Sequence, residues 1–269
     1  MTKNIYVQEL RMKTRSIVIW SLGVAAIVIL YFSFFPSFAE EAALINKMMK
    51  QFPPELLAAF GMTNLNITSV LGFYGLVFLF VQLCVAIQAA NYGVGLVSIE
   101  ETELTADFLL SKPVSRSQIL TGKLLAALTG MAITNIVAWV ASFIALALFN
   151  GGQSYDTGTL VLLLAGLFVF QLFFVSVGLI ISLLVKRIRN VTPYGLGLGF
   201  GMYVLSAFSG IQGDVKLEYI TPFKHFDPNY IVQHNTYDAP LVVISVTVIV
   251  VSLAAAYWRY IHRDIASAT

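Results

Sequence analysis

The residues that could take part in chemistry are few in this chain, and most of them lie in one stretch. Residues 100–116 carry four acidic and two basic side chains, although only 11% of all residues are charged. Leu104 and Phe108 are four positions apart in this stretch, so a helix would place both on one face, among the carboxylates. Acidic groups around an apolar anchor suit the docking of a soluble protein, whereas a solvated connection between two membrane spans is the alternative interpretation.

Motifs for catalysis are missing from the sequence. It contains no GxxxxGK[ST] phosphate loop, no HExxH and no GxSxG, so neither ATP hydrolysis nor a familiar hydrolase chemistry is encoded. The single cysteine, Cys84, excludes a disulfide framework. His225, Asp227, His234 and Asp238 are metal-ligating types, but aromatic-rich interfacial loops carry such residues without a metal. We predict no metal and no other cofactor in this chain.

The elements that must position these residues are membrane-spanning helices. Of the 269 residues 58% are apolar, and the mean hydropathy is +0.82, far above that of an ordinary soluble domain. A helix needs about 20 mostly apolar residues to cross a bilayer. Six segments meet that requirement: residues 16–35, 70–97, 118–149, 159–185, 191–211 and 240–261. We therefore predict an all-α integral membrane protein that forms a single transmembrane domain over residues 1–269.

The distribution of basic residues predicts the orientation. Twelve of the sixteen Lys and Arg residues lie in the N-terminal tail, the second and fourth loops and the C-terminal end. The positive-inside rule places these segments, and both termini, in the cytoplasm. Ahead of the first span, Tyr6, Leu10 and Ile17 share one helical face while Arg11 and Arg15 lie on another. This pattern predicts an amphipathic helix at the inner membrane surface, with a simple topology anchor as the alternative.

The loops on the outer side carry their own helix signals. Ser37 and Glu40 form a capping box that predicts the start of a short helix. Pro53 and Pro54 should end it, and a second short helix should follow before Gly61.

The second loop is punctuated in a similar way. Ser98 with Glu101 forms a capping box, which predicts a short helix from about residue 99. Pro113 should stop that helix, because proline lacks the N–H that an interior helical position requires. Ser115 with Gln118 forms a second capping box, which predicts the start of the third span.

Polar residues in the central parts of the predicted spans are all uncharged. Gln88, Asn91 and Asn135 could line a transport path, or they could hydrogen-bond between helices and hold the bundle together. Carriers driven by an ion gradient commonly use a buried ionisable group, and no such group lies centrally in any span. The energy for transport should therefore come from outside this chain.

The fifth span contains four glycines at two-residue spacing: Gly195, Gly197, Gly199 and Gly201. They form two overlapping GxxxG motifs, which allow two helices to approach closely. The pattern leaves open whether the partner is another helix of this chain or a second subunit.

Residues 100–123 carry the clearest family resemblance. Their sequence, EETELTADFLLSKPVSRSQILTGK, closely resembles the cytoplasmic loop after the second helix of ABC-2 type transporter permeases, the membrane subunits of bacterial ABC exporters. Residues 220–231, ITPFKHFDPNYI, are similar to the segment before the last helix of those permeases, and the resemblance implies a short helical turn or a re-entrant element near the outer leaflet. The amphipathic start is similar to their N-terminal elbow helix, and the resemblance covers most of the chain.

The resemblance implies a permease of the bacterial plasma membrane that pairs with a second permease, identical or related. Two cytoplasmic ABC ATP-binding subunits would bind ATP and Mg beneath the pair. Residues 99–111 would form the coupling helix that sits in a groove of the ATPase. Its contacts would come from seven residues: Glu100, Glu101, Glu103, Leu104, Asp107, Phe108 and Leu109.

In such permeases the second and fifth spans flank the path. Export of an amphipathic compound, peptide or lipid is the expected activity, with membrane lipid but no nucleic acid among the partners. Two alternatives come from other classes: a membrane-anchored sensor or resistance component that binds a partner without transport, and a self-sufficient secondary carrier.

Overall fold

All regular elements that the structure describes are helices. The structure is a computed structural model, and it describes residues 2–59, 66–102, 115–185, 188–212 and 215–262. The helices in these ranges are α1 (Thr2–Phe32), α2 (Phe35–Glu40), α3 (Ala42–Met49), α4 (Pro54–Ala59), α5 (Val70–Thr102), α6 (Arg116–Phe149), α7 (Thr157–Leu184), α8 (Thr192–Gln212), α9 (Val215–Glu218), α10 (Pro222–His225), α11 (Pro228–His234) and α12 (Ala239–His262).

Six of these helices are long and apolar enough to cross a membrane: α1, α5, α6, α7, α8 and α12. They coincide closely with the six predicted segments, so the prediction of an all-helical chain with six candidate spans is confirmed. Because consecutive spans cross in opposite directions, the described residues between α1 and α5, between α6 and α7 and between α8 and α12 lie on one side of the membrane. We call this the distal side. The start of α1, the end of α5, the start of α6 and the end of α12 lie on the other, the N-terminal side.

The bundle is organised around α5. This helix packs against α7, α8, α1 and α6, while α1 lies along α6 and α12 lies along α7. Aromatic side chains fill the distal half of the core: Phe32 packs on Phe35 and on the edge of Phe73. Phe170 meets Phe223 of α10 edge-on, with ring centroids 5.0 Å apart. The short distal helices are therefore held against the spans by ring packing.

Two helix starts on the first half of the chain differ from the prediction. Helix α1 runs without interruption from Thr2 to Phe32, so the amphipathic segment is continuous with the first span. Helix α2 begins at Phe35, and Ser37 lies inside it instead of capping it. Pro36 explains this earlier start, because a proline in the first turn has its φ angle already set and lacks only an N–H that would have no helical partner.

The predicted helix start at residue 99 is wrong, because α5 continues to Thr102. The Ser98 hydroxyl donates a hydrogen bond to the carbonyl of Val94 at 2.7 Å, which is the bond of a serine inside a helix. The second capping box is confirmed: Ser115 accepts from the N–H of Gln118, and the Gln118 side chain accepts from the N–H of Ser115.

Proline also sets the boundaries of the distal helices. Helix α3 ends at Met49, and α4 starts at Pro54, as the Pro53-Pro54 pair predicts. In residues 220–231, α10 and α11 begin at Pro222 and Pro228, so the helical turns predicted for this segment are confirmed.

Candidate functional site

The uncharged polar residues of the spans meet in the interior of the bundle. We call Ser21, Gln88, Thr134, Asn135 and Gln171 the polar cluster; they come from α1, α5, α6 and α7, and all five are buried. The amide of Asn135 donates to the Gln171 carbonyl oxygen. The Gln171 amide donates to Gln88 Oε1 at 3.2 Å, and the Gln88 amide donates to the Thr134 hydroxyl at 2.9 Å.

The polar cluster joins α1, α5, α6 and α7 through hydrogen bonds. The Thr134 hydroxyl uses its hydrogen for the Gly130 carbonyl at 3.2 Å, so the Ser21 hydroxyl, 3.2 Å away, donates to Thr134. The bonds form a chain with a single donor direction from Asn135 to Thr134. Such interhelical bonds contribute about 0.6 kcal/mol each on average within a membrane. Gln88 and Asn135, two of the three candidate pathway residues, thus lie inside the chain's own core.

A second group of bonds joins α1, α5 and α6 nearer the N-terminal side. We call Glu9, Lys13 and Lys123 the charge cluster. Lys123, which is 3% exposed, donates from Nζ to the Leu96 carbonyl at 2.9 Å and lies 3.6 Å from Glu9 Oε1. Glu9 Oε2 is 3.8 Å from Lys13 Nζ.

Tyr92 connects the charge cluster with the polar cluster. Lys13 Nζ lies 5.5 Å from the centroid of the Tyr92 ring, a cation–π distance. The Tyr92 hydroxyl in turn lies 3.4 Å from Gln88 Nε2. Since Leu96 precedes the α5–α6 loop and Lys123 follows it, these bonds fix both ends of that loop to α1.

The residues predicted to couple with an ATPase fall at and beyond the end of α5. Glu100 and Glu101 lie in its last turn. The other five, Glu103, Leu104, Asp107, Phe108 and Leu109, lie outside the described residues. The predicted contacts of this segment therefore stay predictions.

The glycines of α8 divide into two faces. A Cβ added at Gly195 would lie 2.2 Å from Asn91 Oδ1, and one at Gly199 would lie 2.8 Å from Ile87 Cγ1, so this pair meets α5. At Gly197 and Gly201 no described atom lies within 4 Å of an added Cβ. One GxxxG motif therefore packs inside the chain, and the other faces outward.

Comparison with known families decides the class of the protein. The family model for ABC-2 family transporter proteins matches residues 3–265, which include all six candidate spans. The chain belongs to the ABC-2 transporter family. A search of the curated proteins gives no match. The family consists of membrane permeases, which lack an ATPase domain, and membership implies an ATP-binding subunit as partner.

One close approach between the backbones of two spans is not revealed by the sequence motifs. A Cβ added at Gly93 of α5 would lie 2.3 Å from the carbonyl oxygen of Val175 in α7. One added at Gly178 of α7 would lie 2.9 Å from the carbonyl oxygen of Ala90. The two glycines let the backbones of α5 and α7 nearly touch. The signal for each is a small residue four positions away, Ala89 and Ser182, rather than a second glycine.

The sequence patterns do not reveal the charge cluster of the permease either. The positive-inside count places Lys123 in the second loop, but it lies two turns inside α6. Its neighbours on that face, Leu120 and Ala127, are buried. A lone lysine on an apolar helix face is the sequence signal that could have identified it.

On the distal side of the permease, His225 is clamped between two helices. Its Nε2 lies 3.0 Å from the Glu218 carbonyl oxygen, and Nδ1 lies 2.6 Å from the Ser245 hydroxyl. A carbonyl only accepts, so Nε2 carries the hydrogen, and in neutral histidine Nδ1 accepts from Ser245. Burial lowers the pKa of His225, while backbone hydrogen bonds to Glu218 and Tyr219 and the charge of Asp238 oppose the shift.

The four residues considered as metal ligands have other roles. Asp227 caps α11 by accepting from the N–H of Asn229 at 2.8 Å, and it pairs with Lys224 at 3.6 Å. Burial raises the pKa of Asp227, and Lys224 opposes that shift. His234 packs face to face with Tyr230. Within the described ranges, no group of three or more His, Cys, Asp or Glu side chains could hold a metal ion.

Proposed function

We propose that this permease is the membrane half of an ATP-driven exporter of an amphipathic compound, peptide or lipid. Two copies, or this chain and a related one, assemble with two cytoplasmic ATP-binding subunits. Residues 100–111, from the last turn of α5 onward, form the segment that couples to the ATPase, and both termini lie in the cytoplasm. The observation that carries the proposal is the family match, which extends over residues 3–265 and so includes every candidate span and the acidic loop together.

The charge cluster supports a coupling role for the acidic loop, residues 100–116. A force applied to residues 103–114 reaches Leu96 on one side and Lys123 on the other. Lys123 Nζ donates to the Leu96 carbonyl oxygen at 2.9 Å, and Lys123 is paired with Glu9 of α1. Movement of the loop would therefore shift α1, α5 and α6 together instead of bending one helix end.

The outward face of α8 supports a second permease subunit. Helices α8 and α12 are the least buried of the six spans within this chain, but α8 has the lowest mean hydropathy of all. Helix α12 exposes branched apolar residues such as Val243 and Val250, as a lipid-facing helix does. Helix α8 also exposes large apolar residues such as Leu196 and Phe200, but Gly197 and Gly201 lie exposed among them. Small residues suit close contact with another helix better than contact with lipid chains.

The seam between α5 and α8, where the two helices pack together, is the part of the bundle best placed to open and form a transport path. Among the described residues, Asn91 Oδ1 is buried without a hydrogen-bond partner where it faces Gly195. An unpaired buried oxygen is costly, and it gains a partner if the seam admits water or substrate. Asn135 Oδ1 is also buried without a partner, but the Asn135 amide is held inside the polar cluster by Gln171. We therefore assign a pathway role to Asn91, which faces the seam, and a structural role to Gln88 and Asn135.

The test is purification of the tagged permease from native membranes in mild detergent, followed by mass spectrometry. An ATP-binding subunit in near-equal amount is expected, and a second permease species would distinguish a heterodimer from a homodimer. Phe108→Ala and Leu104→Asp should reduce recovery of the ATP-binding subunit without changing the amount of permease. Arg189→Ala is the matched control, because Arg189 is an exposed residue of the other loop on the same side.

Two outcomes would overturn the proposal. Recovery of the permease without any ATP-binding subunit would favour a sensor or resistance component. Proton- or sodium-dependent transport by the purified chain alone would favour a secondary carrier. If Phe108→Ala, Leu104→Asp and Arg189→Ala all retain the ATP-binding subunit equally, the coupling segment lies elsewhere.

A further inference from the structure

Helix α3, on the distal side, has an exposed apolar face that the transporter function does not use. None of its eight residues, all of which the structure describes, is buried. Leu44 and Met48 are 53% and 51% exposed, and Phe52 in the following turn is 44% exposed. These side chains recur every four positions, so the two on α3 lie on one side of the helix.

The residues of α3 and its C-cap divide into three sectors around the helix axis. The half-buried Ala42, Ile45 and Met49 face the protein. Leu44 and Met48 occupy the sector next to them. The remaining sector is polar and is formed by Asn46, Lys47 and Lys50, all exposed. A helix with an apolar face, an opposite polar face and lysines at its edge has the pattern of a helix that lies in a membrane interface.

The length of the first span places α3 close to the distal boundary of the hydrocarbon. Arg15 is the last charged residue of α1, and residues 16–35 are uncharged. The helical part, residues 16–32 of α1, extends about 25 Å. The two turn residues before Phe35 bring the segment close to the hydrocarbon thickness of a bilayer, about 30 Å. Phe35 at the start of α2 therefore lies at the distal boundary of the hydrocarbon, and α3 begins seven residues later.

Exposed apolar side chains also lie at the distal end of the first span, shortly before α3 in the chain. Leu30, Tyr31 and Phe34 are 63%, 46% and 59% exposed. From these exposed apolar side chains, the depth and the three sectors, we propose that α3 lies in the distal lipid headgroup region. Its partners there are phospholipid acyl chains beneath Leu44 and Met48. Since α4 follows after Pro53 and packs against α8, this contact anchors α4 and the end of α8 in the membrane surface.

The proposal can be tested by spin-label accessibility in the full chain. Replacing the lone cysteine by Cys84→Ser leaves a background in which Met48→Cys and Asn46→Cys each carry one nitroxide label. The variants are reconstituted in phosphatidylethanolamine–phosphatidylglycerol vesicles, and power saturation is measured with oxygen, which enters lipid, and with a water-soluble nickel chelate. Asn46 is the matched control because it lies on the polar sector two residues away.

The expected result is a label at position 48 that is several-fold more accessible to oxygen than to the nickel chelate, and the reverse at position 46. Two results would overturn the proposal. Nickel accessibility at position 48 equal to that at 46 would place the sector of Leu44 and Met48 in water. Protection of position 48 from both reagents would mean that protein covers it, and a short distance between labels would identify a second copy. If Met48→Cys does not fold, Leu44→Cys reports on the same sector.

Discussion

The two faces of α8 make a paired prediction, for which Gly199→Leu is the main perturbation. A Cβ at position 199 would lie 2.8 Å from Ile87 Cγ1 and 3.1 Å from the Ile87 backbone nitrogen. The Ile87 side chain could rotate, but its backbone could not retreat, because Gly93 holds α5 against α7. Overpacking of a filled core costs about 1–3 kcal/mol, and we expect the upper end because leucine adds three further carbons. At roughly 2–4 °C per kcal/mol for a chain of this size, the melting temperature should fall by about 6–12 °C.

Gly197→Leu is the matched control, two residues away on the same helix. An added Cβ there meets no described atom within 4 Å, and loss of a glycine from a helix interior is worth up to about 1 kcal/mol. The single chain should therefore be as stable as the wild type or slightly more stable. If a second permease packs on this face, Gly197→Leu should reduce the amount of dimer.

The assay is heating of the detergent-solubilised variants followed by size-exclusion chromatography, with the surviving monodisperse peak as readout. Dimer recovery is measured on the same column before heating. The reasoning would be refuted if Gly199→Leu melted with the wild type, or if both variants lost the same stability. Either result would mean that α8 does not present position 199 to α5 as the structure has it.

Three further predictions use the same heating assay. Lys123→Met and Glu9→Gln should each destabilise the chain, since each leaves a buried charge with fewer partners, and the double variant should lose less than the two losses together. Gln171→Leu should cost about 1–2 kcal/mol, because it removes two bonds of the polar cluster. Burial lowers the pKa of His225. Stability should therefore be constant above about pH 6.5 and decline below it, and His225→Gln should flatten that decline; an unchanged pH profile would contradict the assignment.

The spans could be predicted because they depend on local composition, whereas some helix starts depend on what precedes them. Ser115 and Ser98 are both followed by a suitable residue three positions on. Ser115 caps a helix, but Ser98 lies in a helix that has not yet ended, with the Val94 carbonyl available to its hydroxyl. The capping motif describes the residues after the serine and does not report whether the chain before it is already helical.

The sequence could predict which polar residues belong to the candidate site, but not which of them contact one another. Gln88 and Asn91 are three positions apart, a spacing that places both on one side of a helix. In the bundle Gln88 bonds to α6 and α7 while Asn91 faces α8. Several helices surround this part of α5, so two residues about 60° apart around its axis contact different neighbours. Only the tertiary packing determines which neighbour each residue meets.

The contacts of α5 differ in how readily they could be separated. Toward α7 the backbones nearly touch at Gly93 and Gly178, and α1 and α6 are joined to α5 through the two clusters of hydrogen bonds and charges. Parting any of these helices would expose buried donors and acceptors to hydrocarbon, which is costly. Toward α8 the described contacts are apolar or glycine-mediated, and Asn91 Oδ1 has no hydrogen-bond partner to lose. If ATP-driven movement of the loop reaches the bundle, the α5–α8 seam is therefore the contact with the least to break.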